Sequence, residues 1–285
     1  DFPEAHNNLG NAFKAQGDLG AAIAAYGKAL QFGPEFSQAW YNLGNALYEQ
    51  DDLDAAIASY RKALEIRSGF PEAQRNLAMA ELLIGDYRSG WARYEWRFQR
   101  KAAPGILNAQ PQCVQWNGGE LGANEALLLV SEQGLGDTLQ FMRYALALRW
   151  QGVRVSLCAP QQLHSLIRVS GIDATPLTPE QANAFAEGRW IPLLSVPRHL
   201  EVSQGNPIVT EPYIKTTDEL TAKWRGILAG EQRPIIGINW QGNPGHEKTI
   251  SRGRSLSLET FAPIAHCTNA SLLALQKGFG SEQLE

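Results

Sequence analysis

The chain has 285 residues, enough for two domains, and at 44% hydrophobic it can bury a core instead of staying disordered. Its 25 basic and 29 acidic side chains leave a net charge of -4, which argues against a nucleic-acid-binding surface, since those are clearly basic. Cys113, Cys158 and Cys267 lie too far apart for a disulfide framework or zinc spacing, so no metal is expected and a reducing, cytoplasmic setting fits.

At the amino end, Asp1-Phe2-Pro3-Glu4 does not open a signal peptide, and no later apolar run reaches the roughly 20 residues of a membrane span. The first hundred residues repeat with a 34-residue step: Leu9-Gly10 returns as Leu43-Gly44 and then as Leu77-Ala78. Ala22, Tyr26 and Ala29 return as Ala56, Tyr60 and Ala63, while the third copy has Gly90, Tyr94 and Arg97. Trp40 stands where the other copies have His6 and Gln74. Gly17-Asp18-Leu19, Asp51-Asp52-Leu53 and Gly85-Asp86-Tyr87 mark turns between helical patterns. The period and these positions resemble the tetratricopeptide repeat. Each copy is then a helix hairpin in which small residues let the helices approach and an aromatic fills the gap. Such copies stack to bury their apolar faces, and two good copies with a degenerate third predict the stub of a longer array.

Asn8, Asn42 and Asn76 share one position of the first helices, and Asn11 and Asn45 form a second pair three residues on. On the concave face of such an array, a column of amides suits an extended peptide, because a carboxamide both donates and accepts. The plainer alternative is that asparagine is simply common there. A protein or peptide partner is the broader expectation.

Trp91 to Phe98 places four aromatics in eight residues, a face suited to packing on a following domain. Residues 101 to 124 are rich in Pro, Gly, Gln and Asn and read as linker. From Glu125 the period changes. Ala126 to Val130 is a buried parallel strand, ending at Glu132-Gln133-Gly134-Leu135-Gly136-Asp137-Thr138 before a helix, Leu139 to Trp150. Val153 to Cys158 and Pro234 to Trp240 are further strands, with helices at Gln161 to Val169, Thr217 to Leu228 and Leu258 to His266, and a last strand at Leu272 to Gln276. The alternation predicts α helices followed by an α/β, doubly wound parallel sheet with sites at the carboxyl ends of its strands. Gly134-Leu135-Gly136 lacks the third glycine of a dinucleotide fingerprint and no phosphate-binding Gly-Lys-Ser/Thr loop exists, so a nicotinamide or flavin enzyme is disfavoured.

Glu132 to Phe141 resembles the first-lobe loop of bacterial glycosyltransferases that carry tetratricopeptide repeats, relatives of heptosyltransferases and, more distantly, of O-GlcNAc transferase. Gly237 to Pro244, His246 and Arg254-Ser255 are similar to the opening of their second lobe, and Trp91 to Phe98 to their aromatic joining helix. The resemblance implies a two-lobed GT-B fold, a nucleotide-sugar donor, inversion at the anomeric carbon, and neither metal nor other cofactor. Its domains fall at 1 to 100 (repeats), 101 to 124 (linker), 125 to 232 (first lobe) and 233 to 285 (start of the donor-binding lobe).

Inverting transfer needs a base for the acceptor hydroxyl and positive or dipolar groups for the leaving diphosphate. By the resemblance Asp137 is the base; in ordinary terms it is an acid stabilising a helix start, which also keeps it charged and weakly basic. Gly134 and Gly136 supply a tight turn and close backbone approach. The second loop gathers Lys248, Arg252 and Arg254, suited to phosphate oxygens, with Gly242 and Asn243 as backbone donors; Gln276 and Lys277 end the next strand at the same rim. A solvated basic loop is the plain alternative. His164, His199 and His266 show no partner pattern. From Arg233 onward the chain holds about half of a doubly wound lobe of about 100–150 residues, so an incomplete second lobe is expected. The competing reading is a non-enzymatic protein-binding module carrying a relic transferase domain.

Overall fold

Six helices fill the first hundred residues as three antiparallel hairpins: α1 Pro3–Gln16 with α2 Leu19–Phe32, α3 Ser37–Glu49 with α4 Leu53–Ile66, and α5 Pro71–Leu83 with α6 Tyr87–Tyr94. The computed structural model describes residues 2–99, 106–122, 124–132, 134–231, 234–242, 255–267, 269–279 and 281–284. Each second helix starts on an aspartate. Asp18, Asp52 and Asp86 accept from the backbone N–H of Ala21, Ala55 and Ser89 at 2.9, 3.1 and 3.1 Å, satisfying donors that a helix start leaves open. The preceding turn needs a left-handed residue. Gly17 (φ 86°) and Gly85 (φ 87°) supply it freely, and Asp51 (φ 67°) adopts it in the middle copy at some steric cost.

Inside the first two hairpins the repeated residues form the core: Ala22, Tyr26, Ala29, Ala56, Tyr60 and Ala63 are all essentially inaccessible. A Cβ on Gly10 would come 2.5 Å from the Tyr26 ring, and one on Gly44 2.6 Å from Tyr60, so the glycine and the aromatic are one steric unit. The third copy is built differently. Tyr94 packs against the core of the following sheet, and Arg97 is buried where the other copies have alanine. Gly90 instead admits Leu82, whose Cγ would lie 2.7 Å from an added Cβ. The copy departs from the pattern because its second helix faces another domain.

That domain is a parallel sheet in the order β1-β4-β2-β3, from β1 Val114–Gln115, β2 Ala126–Val130, β3 Arg154–Cys158 and β4 Arg189–Pro192. Leu127 and Leu129 join a core with Met142, Leu148 and Ile191, while Leu128 and Val130 face Ala109 and Ala182 on the other side. Burial on both faces explains the unbroken apolar run of β2. The segment after β2 departs from expectation. Helix α7 already begins at Leu135 (Leu135–Phe141), and a turn at Met142 separates it from α8, Arg143–Trp150.

The stretch read as linker is structured where described. Asn108 N–H donates to the Ser131 carbonyl at 3.1 Å, Val114–Gln115 forms the edge strand, and Trp116 lies in the core, its indole N–H donating to Gly119 O at 2.7 Å. Proline and glycine prevent long elements here, but not packing.

The chain forms two compact units that divide between Lys215 and Thr216. The second holds helix α9 Asp218–Ile227, strands β5 Ile235–Ile238 and β6 Ser271–Ala274 paired in parallel, and helix α10 Ala262–Cys267 between those strands in sequence. Among its described residues the buried apolar side chains are Ile238 and Trp240, and α9 leaves Leu220, Trp224 and Ile227 exposed along one face.

Candidate functional site

The asparagines of the repeats form a hydrogen-bonded ladder. Asn42 Nδ2 donates to Asn7 Oδ1 at 2.9 Å and to Asn11 Oδ1 at 3.2 Å, crossing from the second repeat to the first. Asn76 Nδ2 repeats the move, donating to Asn45 Oδ1 at 2.8 Å and to the Tyr41 hydroxyl at 3.3 Å. Asn11 and Asn45 also accept from the hydroxyls of Tyr26 (2.8 Å) and Tyr60 (2.9 Å). Burial pushes the Tyr26 phenol up to about 12, with Glu49 adding to the rise, so the hydroxyl keeps the proton it donates.

The amide donors of Asn42 and Asn76 are therefore engaged between repeats. With the Asn11 and Asn45 oxygens each accepting two bonds, the ladder offers an external ligand the remaining lone pairs of Asn42 and Asn76, whose oxygens already accept from Gln38 at 3.1 Å and Arg75 at 3.4 Å. Asn8 alone of the five is outside this ladder; it is exposed, as is Asn11, and its neighbour Asn7 is the buried member. Asn8 holds in the first repeat the position of Asn42 and Asn76, whose amides donate to the repeat before, whereas Asn7, which sequence reasoning missed, holds the position of Tyr41 and like it accepts from the next repeat.

A second missed feature ties the third repeat together. Glu81 of α5, fully buried, lies 3.2 Å from Arg61 of α4 and 3.1 Å from Arg93 of α6. The Arg93 contact is an ion pair without hydrogen-bond alignment, since Glu81 Oε2 and Arg93 Nε lack a hydrogen-bond partner among the described residues. Arg93 also donates to Gln74 at 3.0 Å.

In the sheet domain, Asp137 is the third residue of α7 and is exposed. Its carboxylate folds back over the helix start, where a Cβ on Gly134 would meet it at 3.1 Å. Gly136 has nothing within 4 Å, so no packing contact requires glycine there. Thr138 is buried, and both its N–H and its hydroxyl bond Gly134 O at 3.1 Å.

The strand order reverses beside β2, and the crevice at the carboxyl ends of β2 and β4 is the usual ligand position in an open parallel sheet. Here protein fills it. Glu132, directly after β2, accepts from Leu194 N–H at 3.1 Å and from Arg97 at 2.7 and 2.8 Å, and Ser195 joins the group. A cleft of about 560 Å³, lined by Trp116, Leu121, Glu125, Leu148 and Arg154, lies at the opposite, amino-terminal edge of the sheet. In parallel sheets the ligand end is the carboxyl one, where Gly134 lies, and not the amino-terminal edge that carries this cleft.

In the second unit Gln276 braces two strand ends. Its Oε1 accepts from the backbone N–H of Trp240 (3.1 Å) and Gln241 (2.9 Å), and its Nε2 donates to the carbonyls of Gln241 (3.0 Å) and Phe279. Gly242 N–H donates to Ser255 Oγ at 3.0 Å, and Lys277 is exposed. Asn243, Lys248, Arg252 and Arg254, with His246, lie outside the described residues. Of the other histidines, His164 is buried with Nε2 2.9 Å from Ala159 O, His199 lies tilted against Trp116, and His266 is exposed. Among the described residues no His/Cys/Asp/Glu cluster could hold a metal ion, and no helix is long and apolar enough to cross a membrane.

Residues 7–71 match the tetratricopeptide repeat family. No curated protein matches the chain. Among solved structures, the TPR2B-domain:pHsp70 complex of yeast Sti1 is 24% identical over 33% of this chain and 75% of that one, with a TM-score of 0.32. MamA is 26% identical over 34% of this chain and 57% of its own, at 0.33. The first such domain of Spaghetti (RPAP3), bound to the HSP90 peptide SRMEEVD, is 18% identical over 34% and 77%, at 0.33.

Proposed function

We propose that the chain holds a polypeptide along its repeats and serves a glycosyl transfer at the carboxyl ends of its first sheet. The observation that carries this reading is that the amide column and the Gly134–Asp137 turn belong to one compact unit, residues 1 to 215. A ligand gripped by Asn8 and the ladder carbonyls is thereby held in a frame shared with Asp137. In this reading Asp137 takes the proton of an acceptor hydroxyl. The oxygen attacks the anomeric carbon from the face opposite the diphosphate, the carbon–oxygen bond to the diphosphate breaks, and the nucleoside diphosphate leaves with its electron pair. The charge left on the diphosphate calls for positive groups, the role read from sequence for Lys248, Arg252 and Arg254. This reading assigns a GT-B fold and the cytoplasm as the compartment.

The second reading is a protein-binding module without transfer. It is favoured by the filling of the β2–β4 crevice by Arg97 and Glu132. A panel of nucleotide sugars, incubated with the protein and a random-peptide library, separates the two by mass spectrometry. Added sugar that disappears in Asp137→Asn while peptide capture persists supports transfer. Peptide capture without added sugar and without nucleotide-diphosphate binding leaves the module.

A further inference from the structure

We infer that the last repeat helix and the short helical turn that follows it are the frame holding the Gly134–Asp137 turn, with Glu132 as the positioning residue. The turn is gripped on both sides. Before it, Glu132 is 2% exposed and meets Arg97 in a two-pronged pair, Nε to Oε2 at 2.7 Å and the second amino group to Oε1 at 2.8 Å. The fork geometry fixes the carboxylate's plane as well as its distance. After the turn, Phe141 at the end of α7 receives the edge of Trp91 from α6, ring centroids 5.9 Å apart and perpendicular. Between these two points Tyr94 packs into the sheet core.

Arg97 itself is over-determined. It donates to Glu95 at 2.8 Å, to Ser195 at 2.7 Å and to the Tyr94 carbonyl at 3.2 Å, and its guanidinium lies over the rings of Tyr94 and Phe98. Glu95 and Ser195 close the ring with a further 2.9 Å hydrogen bond. Behind this cluster, Arg93 of α6 reaches Glu81 and through it Arg61 of the second repeat. Exposed Arg61 and half-exposed Arg93 thus hold the buried Glu81 across α4, α5 and α6, and four residues past Arg93 the buried Arg97–Glu132 pair ties the same segment to the residue before the turn. A shift of the third repeat displaces Glu132, and with it the helix start that carries Asp137.

The inference rests on the transfer reading only for what the turn does; the linkage is measured without any activity. Peptide-resolved hydrogen exchange on the full chain compares wild type with Arg97→Lys, which keeps the charge but cannot hold both carboxylate oxygens, Glu95 and Ser195 at once. Leu157→Ala, in β3, is a control that loosens the sheet core away from the repeats. The expected result is exchange at least tenfold faster across Leu135–Phe141 and at Leu194 in Arg97→Lys, with α1, α2 and β3 unchanged, and a smaller rise over Leu135–Phe141 in the control. Unchanged exchange over Leu135–Phe141 in Arg97→Lys overturns the inference, as does a control that raises it equally. Should Arg97→Lys not fold, Trp91→Leu removes the other grip and is judged by the same criteria. Where sugar transfer is detected, Arg97→Lys lowers kcat and leaves the donor KM in place; absence of transfer in wild type fails the transfer reading and leaves the exchange result standing.

Discussion

Tyr60 lies so close over Gly44 that any side chain there would enter its ring, a Cβ coming within 2.6 Å. The same ring sends its hydroxyl to Asn45, 2.9 Å away and one residue beyond Gly44. One aromatic therefore sets the spacing of the hairpin by its face and the start of the amide ladder by its tip. Tyr26 does both for the first repeat with Gly10 and Asn11.

Gly44→Ala is expected to destabilise by about 1–3 kcal/mol, the usual cost of overpacking a filled core. Gly27, in the middle of α2 with nothing within 4 Å, is the opposite case. Alanine there is expected to stabilise by about 0.5–1 kcal/mol through helix propensity. Urea unfolding of the two variants checks both signs. Equal stabilities would mean that Tyr60 yields without cost and does not set the hairpin.

Removing Arg97 alone leaves Glu132 charged, buried and short of its main partner, so Arg97→Met is expected to cost about 3–5 kcal/mol. The double variant Arg97→Met/Glu132→Leu removes both charges and is expected to be more stable than the single one. Additive losses in a double-mutant cycle would contradict that coupling.

Much of this architecture was legible in sequence because a steric pair leaves a type-specific trace. Glycine and tyrosine recur at fixed distances, and the aspartates before α2, α4 and α6 recur as caps. The apolar run of β2 was readable for a similar reason, since burial on both faces permits no polar residue. The join was not readable in full. Arg97 and Glu132 are partners across 35 residues and occur once, so no period marks them. The available signal was a charge at Arg97 where Ala29 and Ala63 stand in the other copies. Glu132 was noticed only as part of a loop, and Gln276 as a rim donor, when its amide is consumed in bracing Trp240 and Gln241.

His199 gives the protein an acid-side sensitivity. Burial, helped by the neighbouring Arg198 and opposed by Glu95, holds its imidazole below the ordinary value. The folded chain thus binds fewer protons there than the unfolded chain. Stability from this site is complete above the unfolded pKa of about 6.5 and is lost as pH falls from there through the depressed folded value. Melting temperatures across pH 7.5 to 5.5 are expected to fall less in His199→Gln than in wild type. Parallel curves would remove His199 as a source of the loss.

The asparagine column allows structure and recognition to be tested apart, because its members differ in burial. Asn7 is 5% exposed and its Oδ1 accepts from Asn42, so Asn42→Ala leaves a buried acceptor without that donor, at a cost of about 1–3 kcal/mol. Asn8 is exposed, and Asn8→Ala is expected to change stability by less than about 0.5 kcal/mol. If the column holds an extended chain, Asn8 contributes one or two backbone hydrogen bonds, each about 0.5–1.5 kcal/mol net, so its loss weakens binding by about two- to tenfold per bond. A peptide selected from a displayed random library, titrated by calorimetry against wild type, Asn8→Ala and Asn42→Ala, reads this directly. The expected pattern is an unchanged melting temperature with weaker peptide binding for Asn8→Ala, and losses in both for Asn42→Ala. Full affinity in Asn8→Ala, with Asn42→Ala weakened only as far as its unfolded fraction requires, would confine the ladder to holding one repeat against the next.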